Sequence, residues 1–112
     1  MVFLSRKKCI PCDYRTIPLP MDKINQYLKQ LDGWILSNNI IEKEYLFSDY
    51  VTGLNFAYDL GKIAEAEGHH PEIIISWKRI RVILTTYIIN ALSKNDFVLA
   101  SKFDENYLNT LK

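Results

Sequence analysis

The chain is poor in the residues that staple or break a fold. Its 112 residues include two cysteines, four glycines and four prolines. Cys9 and Cys12 are too few for the multi-bridge framework of small secreted domains, so a hydrophobic core must carry the fold. A chain of this length can build one such core. No sign of charge dominates either: fourteen Lys and Arg stand against thirteen Asp and Glu, a formal net charge of +1. That balance supplies no global field toward nucleic acid or an anionic membrane, and neither is expected as a partner. Long apolar runs are missing as well. The stretches around residues 73 to 75 and 82 to 84 are cut by Ser76, Lys78, Arg79 and Arg81 far short of a bilayer's span. The opening Met-Val-Phe-Leu-Ser-Arg-Lys-Lys has no apolar segment of signal-peptide length, and a cytoplasmic protein is expected.

What is present reads as an ordinary folded domain. Hydrophobic residues at 48% and charged residues at 24% place the chain well away from compositions that stay disordered. Pro11, Pro18 and Pro20 gather at the start, which predicts an extended arm over residues 1 to 19 and a single domain over 20 to 112. Ile24, Tyr27, Leu28 and Leu31 fall at helical spacing, predicting a helix over residues 21 to 31 with Gly33 beyond its end. Asn38-Asn39 between residues 34 to 36 and 41 to 47 predicts a β-hairpin, because Asn tolerates the positive φ of tight turns. Ser48 offers an N-cap for a helix over about 49 to 67, whose apolar stripe of Val51, Leu54, Phe56, Ala57, Leu60, Ile63 and Ala64 stops at Gly68. A second hairpin is predicted from strands at 73 to 77 and 80 to 87, turning at Lys78-Arg79. Ser93-Lys94-Asn95-Asp96 resembles a capping box and opens a last helix. The order α-β-β-α-β-β-α, with short connections, predicts an α+β fold: a four-stranded antiparallel sheet with helices packed on one face. Its open edges invite self-association, so a homo-oligomer is expected.

Two histidines occur in the chain, and they are adjacent: Gly68-His69-His70-Pro71-Glu72, at the junction of the central helix and the third strand. Neighbouring imidazoles can divide acid and base work near neutral pH without metal or cofactor. Glu65, four residues before His69, is placed to orient that ring and favour its charged form. The plainer reading is a solvated Glu beside two surface histidines. A zinc site built from Cys9, Cys12, His69 and His70 would have suitable N and S donors, yet adjacent histidines in extended chain point to opposite sides. Cys9-x-x-Cys12 has no strand-then-helix context for a redox motif, so two reduced cysteines in the arm is its plain reading.

Glu65-x-x-x-His69-His70-Pro71, the aromatic Trp77, Asp96 after the fourth strand, the Gly33-Trp34 turn and Leu92-Ser93-x-x-Asp96 together resemble the pterin-4a-carbinolamine dehydratases over roughly residues 20 to 104. Lys8-Cys9-x-Pro11-Cys12 is also similar to the amino terminus of many bacterial members. The resemblance implies a hydro-lyase that removes water from 4a-hydroxytetrahydropterin to give quinonoid dihydropterin, recycling the cofactor spent by aromatic amino acid hydroxylases. It implies no cofactor and no metal of the protein's own, and a homodimer or homotetramer.

By the same resemblance His69 is the main acid-base group, His70 a positioning or second acid-base group, and Tyr87 stands where the family usually has a third histidine, or sometimes tryptophan. A phenol can donate to a departing hydroxyl but is a poor base at neutral pH. Trp34, Pro71, Thr85 and Thr86 are implied near the pterin, Thr85 sharing a strand face with Tyr87. Ser93 and Asp96 are read as helix-capping residues. Ala91 replaces a usual glycine. The Tyr87 substitution also fits a member that has lost catalysis and serves as a dimerisation or assembly factor for a protein partner.

Overall fold

The computed structural model describes residues 4 to 111. Met1 to Phe3, part of the opening read for a leader, lie outside the described residues. The elements run α1 (Met21–Leu28), β1 (Ile35–Ser37), β2 (Ile40–Leu46), α2 (Tyr50–Glu67), β3 (Glu72–Ser76), β4 (Arg79–Leu84) and α3 (Lys94–Thr110), with 3-10 turns at Leu4–Arg6 and Tyr87–Ile89. The sheet is antiparallel in the order β1-β2-β4-β3, which is the predicted α+β fold. No helix among the described residues is long and apolar enough to cross a membrane.

Both hairpins use two-residue loops. Ser37 pairs with Ile40 across Asn38-Asn39, with Asn38 at φ 54° as the turn requires. Ser76 pairs with Arg79, so the second turn is Trp77-Lys78, one residue earlier than Lys78-Arg79. In β4 the alternation sends Ile80, Val82 and Leu84 into the core, all fully buried, against Phe56 and Leu60 of α2 and Phe97 and Phe103 of α3. Fully burying each such side chain stabilises by about 1.5–3 kcal/mol before entropy is counted. The other face of the sheet carries ion pairs, Arg81 to Glu42 at 2.9 Å and Arg79 to Glu44 at 3.6 Å.

Four further details differ from the sequence expectation. Asp49, not Ser48, caps α2, its carboxylate accepting from the Thr52 backbone N–H at 2.8 Å. The first helix stops at Leu28 and relaxes into a turn before Gly33. Strand β4 ends at Leu84 rather than 87, because Thr85 and Thr86 turn their hydroxyls to hydrogen bonds outside the ladder and Tyr87 starts a 3-10 turn. The amino-terminal segment is docked rather than simply extended. Leu4 is buried in the core, and Lys102 donates to the Ser5 carbonyl at 2.8 Å.

Trp34 joins the core instead of a substrate site. Its indole N–H donates to Asp104 at 3.1 Å, a carboxylate that also accepts from Lys43 at 2.8 Å and from the Tyr45 hydroxyl at 2.6 Å. Burial, and then the Asp104 charge, push the Tyr45 phenol far above its ordinary value.

Candidate active site

The end of α2 decides where the two histidines go. Gly68 takes the left-handed conformation at φ 68°, and its N–H and that of His69 bond back to Glu65 and Ala64, closing the helix. The chain therefore leaves the helix before His69, and the expected pairing of His69 with Glu65 does not form. Glu65 instead meets His70 at 2.7 Å, in a pair whose side chains are 80% and 63% exposed. Such an exposed pair is worth little energetically and serves at most to bias the ring's orientation.

His69 turns inward and meets Asp96 at 2.7 Å between Nε2 and Oδ1. The His69 side chain is 11% exposed and the Asp96 side chain is fully buried. The second oxygen of Asp96 accepts from the Ser93 backbone N–H at 2.9 Å and from the Thr86 hydroxyl at 2.8 Å. Thr86 in turn sits 2.7 Å from the Ser93 hydroxyl. With Oδ2 taken by two donors, Asp96 is arranged as an acceptor, an arrangement that favours the His69 tautomer with its proton on Nε2. That leaves Nδ1 as the ring nitrogen able to take or give a proton. Asp96 thus closes the capping box at α3 and also holds His69, a second task that the helix-cap reading omitted.

Beside His69 lies a recess of about 230 Å³, lined by Cys12, Gly68, His69, His70, Thr85, Thr86, Tyr87, Ile88 and Asn95. The fold therefore brings His69, His70, Tyr87, Thr85 and Thr86 together. Thr85 and Tyr87 do not share a strand face: Thr85 is buried and donates to the Asn39 carbonyl at 2.6 Å, whereas Tyr87 is 62% exposed in its turn. Trp34 and Pro71 are not among the lining residues. Asn95, which does line it, drew attention in the sequence only as the interior of a capping segment. Among the described residues no three His, Cys, Asp or Glu side chains form a group that could hold a metal ion, which leaves the zinc reading of Cys9, Cys12, His69 and His70 without a donor set.

A larger groove of about 760 Å³ lies elsewhere, between α2 and the β3 edge, lined by Leu54, Tyr58, Ile73 and Ile75 among others. Its walls are mostly apolar, with Lys62 and Glu65 as the charged lining residues, and it lacks the convergent polar groups that mark a reaction site.

The sequence profile of the pterin 4 alpha carbinolamine dehydratases matches residues 17–106. The chain belongs to this family. A protein of Alkaliphilus metalliredigens bearing the pterin-4-alpha-carbinolamine dehydratase name is 39% identical over 104 residues, covering 91% of this chain and 94% of its own. One from Rickettsia canadensis is 41% identical over 106 residues, covering 93% and 97%. Among solved structures, a transcriptional coactivator/pterin dehydratase from Brucella melitensis superposes with TM-score 0.77 at 28% identity, covering 81% of this chain and 99% of that one. A pterin dehydratase-like RuBisCO assembly factor of the alpha-carboxysome shares the fold, with TM-score 0.55 at 17% identity over 66% of this chain and 86% of that one.

Proposed function

We propose that the chain is a hydro-lyase that dehydrates 4a-hydroxytetrahydropterin to quinonoid dihydropterin. The observation that carries this reading is the buried Asp96 holding His69 at the wall of the recess, in a chain of this family. The reaction needs a proton delivered to the 4a-hydroxyl as the C4a–O bond breaks, and a proton removed from N5 as the N5–C4a double bond forms. His69 is the acid-base residue, held in place by Asp96 as positioning residue. His70, exposed at the rim, positions the substrate or serves as the second acid-base group. The Tyr87 hydroxyl donates a hydrogen bond to the leaving oxygen, and Thr85 and Thr86 stiffen the floor. No cofactor is required, since both protons are handled by side chains and water.

The enzyme acts as a cytoplasmic homo-oligomer assembled through the unpaired β3 edge and the apolar groove beside it. The same groove favours a second reading, in which the fold serves as a dimerisation or assembly factor for another protein and catalysis is weak. Stopped-flow measurement of 4a-hydroxytetrahydropterin dehydration separates the two. Acceleration by wild type that disappears in the folded His69→Ala/His70→Ala variant supports the dehydratase. A wild-type rate equal to the spontaneous one would falsify it and leave the protein-binding reading.

A further inference from the structure

The Cys9-x-Pro11-Cys12 motif has no part in the proton chemistry, yet it borders the recess. Cys12 is one of the lining residues, beside His69 and His70. What keeps the segment there is Asn95, a buried side chain in the first turn of α3. Its carboxamide oxygen accepts from the Ile10 backbone N–H at 2.8 Å, and its NH2 group donates to the Ile10 carbonyl at 2.6 Å. The same NH2 lies 3.2 Å from the Cys12 sulfur. One amide therefore reads both backbone groups of Ile10, as a neighbouring strand would, and spends its second N–H on Cys12. Pro11 between them fixes φ and brings no N–H that would need a partner.

A second tie lies one residue earlier. The Cys9 backbone N–H donates to Glu67 Oε1 at 2.8 Å, and the Cys9 thiol approaches the Asn95 carbonyl at 3.7 Å. Glu67 and Asn95 lie close to the chemistry in sequence: Glu67 is two residues before His69, and Asn95 is next to Asp96. The ties thus hold the segment to the same two helix ends that position the His69–Asp96 pair. The recess, at about 230 Å³, is smaller than the roughly 300–1,000 Å³ usual for small-molecule sites, so any wall residue matters to what fits.

We propose that residues 9 to 12 are a latched wall of the pterin site, with Asn95 as the latch and Cys12 as the side chain that limits the space for the substrate. The inference rests on the dehydratase reading of the same recess. Asn95 and Cys12 are positioning and specificity residues, not catalytic ones.

Thiol labelling reads the wall directly. Both cysteines are partly exposed, and burial and the Glu67 carboxylate push the Cys9 thiol up to about 12, so Cys9 labels slowly beside Cys12 in wild type. Iodoacetamide labelling of each cysteine, followed by peptide mass spectrometry, is measured with and without 7,8-dihydrobiopterin for wild type, Asn95→Ala and Cys12→Trp. Dihydrobiopterin affinity, KM and kcat are measured alongside.

In wild type, saturating dihydrobiopterin slows Cys12 labelling. In Asn95→Ala both cysteines label faster, the protection by dihydrobiopterin is lost, and KM rises about tenfold, the equivalent of one or two hydrogen bonds, with a smaller change in kcat. Cys12→Trp keeps every Asn95 contact to Ile10 and still weakens dihydrobiopterin binding, which tests the wall even if Asn95→Ala does not fold. Equal Cys12 labelling in wild type and a folded Asn95→Ala overturns the latch. Bound dihydrobiopterin that leaves Cys12 labelling unchanged, or unaltered affinity in Cys12→Trp, overturns the wall. A wild type that neither binds dihydrobiopterin nor accelerates dehydration overturns the dehydratase reading and the pterin half of this one, while the labelling comparison still judges the latch.

Discussion

His69 and Asp96 stand 27 residues apart and meet only because the end of α2 and the start of α3 are neighbours. Asp96→Asn tests what that contact does with little change of shape. The amide oxygen must serve Ser93 and Thr86, which turns the NH2 toward His69 Nε2 and forces the ring's proton onto Nδ1. The tautomer is then wrong for the task, and kcat should fall on the order of 10²-fold, within the usual range for a mispositioned acid-base group. Combining Asp96→Asn with His69→Ala should cost little more than His69→Ala alone, because the two act as a unit. Full additivity in that cycle would detach Asp96 from the chemistry. Tyr87 calls for the opposite experiment. It is exposed in its turn, so Tyr87→His should leave the thermal midpoint nearly unchanged and raise kcat by about tenfold if an imidazole there shares the proton transfer. At this scale the sequence displayed the pieces and withheld the pairing. The adjacent histidines marked the site, but the helix-spacing argument assigned Glu65 to His69. It assumed a helix that continues, whereas Gly68 ends it and swings the ring to a partner remote in sequence.

The elements that set up the site depend on a few terminal residues. Gly68 has open space where a Cβ would stand, so Gly68→Ala tests backbone conformation alone. The left-handed φ should cost about 1 kcal/mol, read as a lower denaturation midpoint, together with lower activity as His69 loses its approach to Asp96. At the other end of α2, hydrogen bonds from the Thr52 backbone and hydroxyl hold the Asp49 carboxyl below its ordinary value of 3.8. The native state therefore holds that proton less tightly than the unfolded chain does. Its stabilisation is complete above pH 3.8 and is lost as the pH falls through the lowered native value. Asp49→Asn should lower the thermal midpoint at pH 7, and the gap from wild type should narrow in scans at pH 3 and below. A gap that is constant with pH would mean that the charge is immaterial to the cap. Helices and hairpins were legible because their periodicities reflect which face is buried. Their ends were less so. Ser48 and Asp49 are both good caps, and only the geometry of the first turn chooses. In β4 the β-branched Thr85 and Thr86 carry strand propensity, yet their hydroxyls find better partners in the Asn39 carbonyl and Asp96 than a longer ladder would offer.

For the molecule as a whole, the sheet ends at β3, one side of which is unpaired among the described residues, next to the groove shared with α2. Tyr58 and Ile75, both exposed, line it. An open strand edge beside an apolar surface is costly for a free monomer and well suited to pairing with a second copy. A stable pairing buries roughly 1,200–2,000 Å² in total, an area that needs the edge and the helix face together. Ile75→Glu places a charge on that edge and should shift light-scattering mass toward the monomer. Leu108→Glu, at an exposed position on α3 that does not line the groove, should leave the mass unchanged. The pair of variants also shows how far assembly and chemistry are linked. Glu65 lines the groove and bonds His70, whereas His69 is held by Asp96 inside the subunit. A monomeric Ile75→Glu should therefore keep the acid-base step and lose mainly substrate affinity through His70, seen as a raised KM with kcat largely retained. If the variant is monomeric and kcat falls by the same factor as in His69→Ala, the site is completed across the interface, and a single subunit is not the catalytic unit.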